Sequence, residues 1–303
     1  MSVQELIRIG TRGSPLALAQ ARMVGAALDR RTEIVVIRTT GDHILDRPLS
    51  EIGGKGLFTK EIEEQLLDRR IDIAVHSMKD MPTALPDGLA IGAMLHRADP
   101  RDSLISRSAR SLDELPRGAH VGTASLRRGA ILLARRPDLR ISTLRGSVQT
   151  RLRRIEDGDF DATLLAQAGL DRLGIGATTG VPLDIEDMLP AVAQAAIGVE
   201  YATERADIRP LLATLDHRET SLCVEIERAF LAELDGSCRT PIAAHAQMMA
   251  DKVLFRGLVA RPDGSDIIRR TFETPAGEAM AMAVEQGREL HQRLGPGYFA
   301  APH

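Results

Sequence analysis

The stretch that most limits the folds open to this chain is Ile71-Asp72-Ile73-Ala74-Val75. It is a short, apolar, β-branched run, fed directly by an amphipathic segment from Thr59 to Arg70. A helix leading into so short and apolar a strand is the unit of an open α/β sheet. The run then breaks. His76-Ser77-Met78-Lys79-Asp80-Met81-Pro82 sets a Lys and an Asp side by side, and the proline stops regular structure. In open α/β sheets ligands bind at that carboxyl edge. An Asp80 shielded there can exchange protons or hold a developing cation. A strand-end ion pair and turn would leave the same residues, so the stretch must be weighed with the rest of the chain.

The unit recurs. Leu6–Gly10 reads as a first strand, Ser14-Pro15 as an N-cap with proline at the first helical position, and Leu16–Arg30 as a helix. Arg12 and Ser14 therefore fall in a strand-to-helix turn, where backbone N–H groups attract anions; capping alone would also account for Ser14. Glu33–Thr39 is a strand, and Gly53-Gly54-Lys55-Gly56-Leu57-Phe58 follows. Three glycines around Lys55 allow backbone to lie against a ligand or to move as a lid. The spacing is not that of a P-loop.

Gly88–Leu95 and Asp102–Ser106 are further strands, joined by the polar crossing 96–101. A second set begins at His120-Val121-Gly122-Thr123, and Ala124-Ser125-Leu126-Arg127-Arg128 repeats the geometry of Arg12 and Ser14. Strand 140–144 ends at Arg145-Gly146, a helix carries Arg151, Arg153 and Arg154, and strand 161–165 follows. A second crossing, 190–196, leads to a strand at Ile197–Tyr201 that returns to the first set. Two αβ lobes joined by two crossings make a cleft, and the arrangement resembles the type II periplasmic-binding-protein pair. A third, α+β unit holds a helix 221–234 bearing Cys223, a loop 235–241 bearing Cys238, a meander 242–273 and a closing helix 276–294. The expected domains are 1–97 with 196–215, then 98–195, then 216–303.

Composition narrows function. Net charge is −3 and aromatics make up 3%, with no Trp, which argues against a nucleic-acid binder. Two Cys give neither a disulfide framework nor a four-ligand metal set. Cys223 belongs to a helix face and Cys238 to a turn beside Gly and Arg, a setting that can expose a thiol and lower its pKa. No run approaches the ~20 apolar residues of a membrane span, and Met1–Glu5 lacks the character of a signal peptide. A cytoplasmic, membrane-free protein is expected. Of 39 Lys and Arg only four are Lys, and between Arg127 and Arg154 nine Arg face one acid, Asp138. Arg grips carboxylate or phosphate with a planar fork, so the field points to a small anionic ligand. Solvated helix faces account for part of it.

These stretches together resemble the hydroxymethylbilane synthase (porphobilinogen deaminase) family, nearly end to end. The resemblance rests on Thr11-Arg12-Gly13-Ser14-Pro15-Leu16-Ala17-Leu18, on Gly53–Phe58, and on His76-Ser77-Met78-Lys79-Asp80. Gly122–Arg128, Leu144-Arg145-Gly146 and the Cys238 loop complete it. It implies three α/β domains with the active site between the first two. It implies a dipyrromethane cofactor joined by a thioether to Cys238, and stepwise condensation of four porphobilinogen molecules with release of ammonia. Hydrolysis then frees the linear tetrapyrrole, a step of heme biosynthesis. Asp80 is the implied catalytic carboxylate, holding the cation left as ammonia departs. Arg12, Ser14, Lys79, Thr123, Ser125, Arg127, Arg128, Arg145, Gly146, Arg151, Arg172 and Gln194 are implied to bind cofactor or substrate. Lys55 and Phe58 belong to the mobile loop, no metal is needed, and a monomer is expected. The acetate and propionate of each unit explain the Arg field chemically.

The chain departs from the family in two places. Ala193-Gln194-Ala195-Ala196 stands where members often have Gly-Gln-Gly-Ala, and the added methyls would stiffen a hinge. Ser237-Cys238-Arg239-Thr240-Pro241 stands where Gly-Cys-Gln-Val-Pro is common. A non-catalytic two-lobe module for anions is the competing reading; it needs neither Asp80 nor Cys238.

Overall fold

The computed structural model describes residues 6–40, 59–236, 240–295 and 297–299. These form two compact units. One takes residues up to 98 together with 195–221, and the other takes 99–194 with the described part of 222–299.

The first unit opens with β1 (Ile7–Arg12), α1 (Pro15–Ala27), β2 (Thr32–Ile37), α2 (Lys60–Leu67), β3 (Ile73–Ser77) and β4 (Leu89–Met94). The chain continues as β5 (Asp102–Ser106), β6 (His120–Gly122), α3 (Leu126–Arg135), β7 (Arg140–Ser142) and α4 (Val148–Glu156). After these come β8 (Ala162–Ala166), α5 (Gln167–Arg172) and β9 (Val181–Pro182). β10 (Ile197–Ala202) and α6 (Ile208–Ala213) belong to the first unit again. The chain then forms α7 (Arg218–Glu233), β11 (Ile242–Met249), β12 (Lys252–Ala260), β13 (Ile267–Pro275) and α8 (Ala279–Arg293).

The two five-stranded sheets share one plan. Their orders are β2-β1-β3-β10-β4 and β7-β6-β8-β5-β9. In each, three strands run parallel, with the first of them in the middle. In each, the next place is taken by an antiparallel strand that has just crossed from the other set, β10 in one and β5 in the other. Strands covered on both faces must be apolar almost throughout. β3 meets this by alternation. Ile73 and Val75 join the core under α1 with Ile9 and Val24, while Ala74 joins Ile62 and Leu66 of α2 on the opposite face. All six residues of β10 are buried, including Glu200.

The antiparallel sheet β11-β12-β13 shares a core with the second unit. Ala243, Leu258 and Ala260 pack with Leu104, Val121, Ala130 and Leu164. Phe255 of β12 lies against Phe230 of α7, with ring centroids 5.2 Å apart. Two short helices, α5 and α6, are absent from the sequence reading. Each is only 6 residues long, too short to show a helical period.

Candidate active site

A pocket opens in the first unit at the carboxyl edge of its sheet, where β1 and β3 end. β1 brings Thr11 and Arg12 to it, and Ser14 starts α1 from its rim. The Ser14 hydroxyl accepts from the Ala17 N–H at 3.2 Å, so the expected cap forms and fixes the turn that carries Arg12. β3 ends at Ser77 and tightens into a single 3₁₀ turn, Met78–Asp80, which sets Asp80, itself exposed, against the same pocket. Lys79 is half-buried beside it. The structure thus brings together Arg12, Ser14 and Asp80, three residues the sequence reading singled out.

It adds two polar groups that reading passed over. Gln20, only 2% exposed on α1, donates from Nε2 to the Ser77 hydroxyl at 2.8 Å. Its signal was a polar residue on an otherwise apolar helix face. His76, a member of the strand-end motif, lines the pocket and lies 3.0 Å from Glu200 through Nε2.

In the second unit the guanidiniums of Arg127 and Arg128 are engaged within the protein. Both are buried, with 4% and 6% exposure. Each makes a 2.7 Å ion pair with one oxygen of Asp102, which has no exposed surface. Arg127 also donates to the Leu189 carbonyl at 2.6 Å, and Arg128 to the Leu164 carbonyl at 2.8 Å. Gln194 completes the set, donating from Nε2 to Asp102 Oδ1 at 2.8 Å and to the Pro100 carbonyl at 2.7 Å. Burial by itself would raise the Asp102 pKa; the two guanidiniums overcome it and hold the carboxyl well below the usual range. Burial pushes the Arg127 guanidinium down, against the pull of Asp102. Two cations on one anion leave a buried excess of one positive charge, and the Nε–H groups of both Arg have no hydrogen-bond partner. From the sequence alone Asp102 reads only as the start of a strand. A lone acid heading an apolar run was the available sign.

Ser125 caps α3 as Ser14 caps α1, accepting from the Arg128 N–H at 3.3 Å. Its own N–H donates to Thr123 Oγ1 at 3.1 Å, and Thr123 is buried. Gly146 holds φ +110, a conformation side chains avoid, and its carbonyl accepts from Arg151 Nε at 3.0 Å. Arg145 and Arg151 are half-buried. Arg172, at the end of α5, is pushed down to about 10 by burial, with Asp171 opposing. Elsewhere the Arg field serves the fold. Arg135 pairs with Asp113 at 2.9 Å and also with Asp187, Arg136 pairs with Asp138 at 2.8 Å, and Arg154 pairs with Asp159.

Ala193 and Ala195, flanking Gln194, adopt φ of 60 and 73. Cys223 is buried on α7. Cys238, Lys55 and Phe58 lie outside the described residues. Among the described residues no cluster of three or more His, Cys, Asp or Glu could hold a metal ion. None of their helices is long and apolar enough to cross a membrane.

Residues 7–210 match the model of the porphobilinogen deaminase dipyrromethane cofactor binding domain, and residues 221–294 match that of the porphobilinogen deaminase C-terminal domain. Porphobilinogen deaminase of Paracoccus denitrificans is 52% identical, over 98% of this chain and 97% of that protein. The chloroplastic porphobilinogen deaminase of Oryza sativa is 51% identical, over 97% of this chain and 86% of that protein. Among solved structures the methionine-binding protein MetQ aligns with a TM-score of 0.43 and 14% identity, over 71% of this chain and 92% of that one. So loose a likeness carries nothing for function.

Proposed function

The chain belongs to the porphobilinogen deaminase family, and from that premise we infer how its own residues divide the work. The protein is a transferase, a hydroxymethylbilane synthase. It condenses four porphobilinogen molecules with release of ammonia and then frees the linear product by hydrolysis. Its cofactor is dipyrromethane. When bound, that group supplies the pyrrole carbon to which units are joined.

The residues present suit such a group. A pyrrole bearing acetate and propionate needs fixed cations and few competing acids. The buried Arg127–Asp102–Arg128 set carries one positive charge in excess and two Nε–H groups without partners. Arg127, Arg128 and Gln194 are assigned to hold cofactor or substrate carboxylates through that preorganised excess rather than through open forks. Arg12, Ser14 and Lys79 are assigned the same task beside Asp80. Thr123, Ser125, Arg145, Gly146, Arg151 and Arg172 are assigned it in the second unit.

Asp80 is the proposed catalytic carboxylate. It stabilises the cation left on the substrate as the amine departs, and again as the new bond forms. Cys238 is the proposed attachment point, since Cys223 is packed into a helix face. Lys55 and Phe58 are proposed to belong to a covering loop. The three-domain division at 98, 196 and 216, a cytoplasmic setting and a monomeric state are proposed with it; nucleic acid is not among the proposed partners. A non-catalytic anion-binding module would leave Asp80 without a task.

The observation that carries these assignments is the meeting of Arg12, Ser14 and Asp80 in one pocket at the strand edge. The test is incubation of the purified protein with porphobilinogen, following ammonia and bilane together. Both should appear in wild type, in a ratio of four ammonia to one bilane. Binding of porphobilinogen with no ammonia released would return the protein to the binding-module reading.

A further inference from the structure

Behind the same pocket lies a group of titratable side chains that the assignments above leave unused. His76 on β3 lines the pocket with Asp80 and Arg12. Its Nε2 is 3.0 Å from Glu200 Oε2 on β10, and the two side chains are 6% and 0% exposed. Glu63 of α2 is also buried and faces them. Burial raises its pKa, against a side-chain hydrogen bond with Thr59; the charge of Glu200 adds to the rise and His76 opposes it. One carboxylate oxygen of Glu63 and one of Glu200 have no hydrogen-bond partner.

Packing does not explain this group. β10 is otherwise free of charge, reading Ile-Gly-Val-Glu-Tyr-Ala, and a buried ion pair is commonly no more stable than an apolar pair of the same size. The alternation of β3 turns His76 to the α2 face with Ala74 and turns Ser77 to Gln20 on the α1 face. His76 is thus the residue of β3 that meets both the buried carboxylates and the pocket.

We propose that His76 is a proton acceptor in the condensation and that Glu200 is the residue that positions it. This rests on the pocket around Asp80 being the place of reaction. Each condensation breaks the carbon–nitrogen bond of a porphobilinogen, whose protonated amine leaves as ammonia with the bonding pair. It also breaks a C–H bond at the carbon that is joined; that electron pair stays with the ring, and the proton must be taken up. A carboxylate only accepts, so in the 3.0 Å pair with Glu200 the donor is the His76 Nε2–H, and Nδ1 is the ring nitrogen proposed to take the proton. The imidazolium so formed is held by Glu200, as a buried carboxylate holds the histidine of a hydrolase triad. His76 then gives the proton to the ammonia already released in that round, which is carried off as ammonium, and the neutral imidazole is restored.

The test uses the holoenzyme as wild type, His76→Gln, Glu200→Gln and Asp80→Asn, each checked for folding by circular dichroism. Folded His76→Gln should lose about 10²-fold in kcat, the usual minimum for a lost general acid–base group. The ionisation seen in the wild-type kcat profile should coincide with the titration of the His76 imidazole, followed by nitrogen NMR. Glu200→Gln, which keeps the imidazole, should displace both by the same amount. Wild-type kcat in folded His76→Gln, or an imidazole titration that moves while the kcat profile stays, would overturn the proposal. Should His76→Gln fail to fold, the paired displacement in Glu200→Gln decides alone. Full activity in Asp80→Asn would remove the pocket as the reaction site, and this proposal with it. A slow Asp80→Asn beside a wild-type His76→Gln would sink this proposal only.

Discussion

Asp102 has no exposed surface and two guanidiniums against it, so its removal would leave two like charges facing each other in the interior. Asp102→Asn keeps the shape and loses the charge. Breaking a buried ion set in this way typically costs about 3–5 kcal/mol, and a urea midpoint lowered to match is the expected result. The acid limb should report the same carboxyl. Its folded pKa is depressed. Its contribution is therefore present above the unfolded carboxylate value, near 3.9 for an isolated Asp, and is lost as pH falls through the folded one. In Asp102→Asn that share of the acid dependence should be gone. An unchanged midpoint would mean that the two Arg residues find other partners. At this scale the sequence singles out the Arg residues by number and says little about their partners. Arg127 and Arg128 stood out by their density, but Asp102, 25 positions away from Arg127, could be matched to them only by folding. Glu200 and Gln20 were hidden in apolar runs for the same reason.

Among the elements, strand, cap and helix were the most legible parts. Ser14 and Ser125 each sit one residue before a helix and accept from an N–H three residues on, as their spacing implied. The crossing at 190–196 was legible as a break but not in its conformation. Ala193 and Ala195 hold positive φ, which costs a residue with a side chain roughly 1–2 kcal/mol. Ala193 is kept there by its N–H, which donates to the buried Glu227 carboxylate at 2.7 Å. Glycine would relieve the crowding but adds freedom to the unfolded chain, an offset of about 0.4–1 kcal/mol. Ala195→Gly should thus raise stability by at most about 1.6 kcal/mol, read from the thermal midpoint with ΔH. It should alter the later condensations more than the first, read from single-turnover kinetics. A loss of stability would mean that the left-handed turn at 195 is already relaxed with alanine in place.

In the whole molecule, two sheets of one plan exchange a strand each, and the family match runs across both and on through the third sheet. The alternation of short apolar strands with helices made that plan legible. The sharing of one core between β11-β12-β13 and the second unit was not, since Ala243, Leu258 and Ala260 read as ordinary strand positions. The central claim joins the scales: units are added to a cofactor on Cys238, and Asp80 drives each addition. Intact mass of the purified protein, before and after porphobilinogen, tests it most directly. Wild type should exceed the chain mass by two linked pyrroles and, on adding substrate, show a ladder of further single units. Asp80→Asn should carry the two-pyrrole excess but build the ladder about 10²–10³ times more slowly, the usual loss for one preorganised electrostatic group. Cys238→Ser should show neither excess nor ladder. A full ladder at wild-type speed in folded Asp80→Asn, or an excess surviving in Cys238→Ser, would contradict the account.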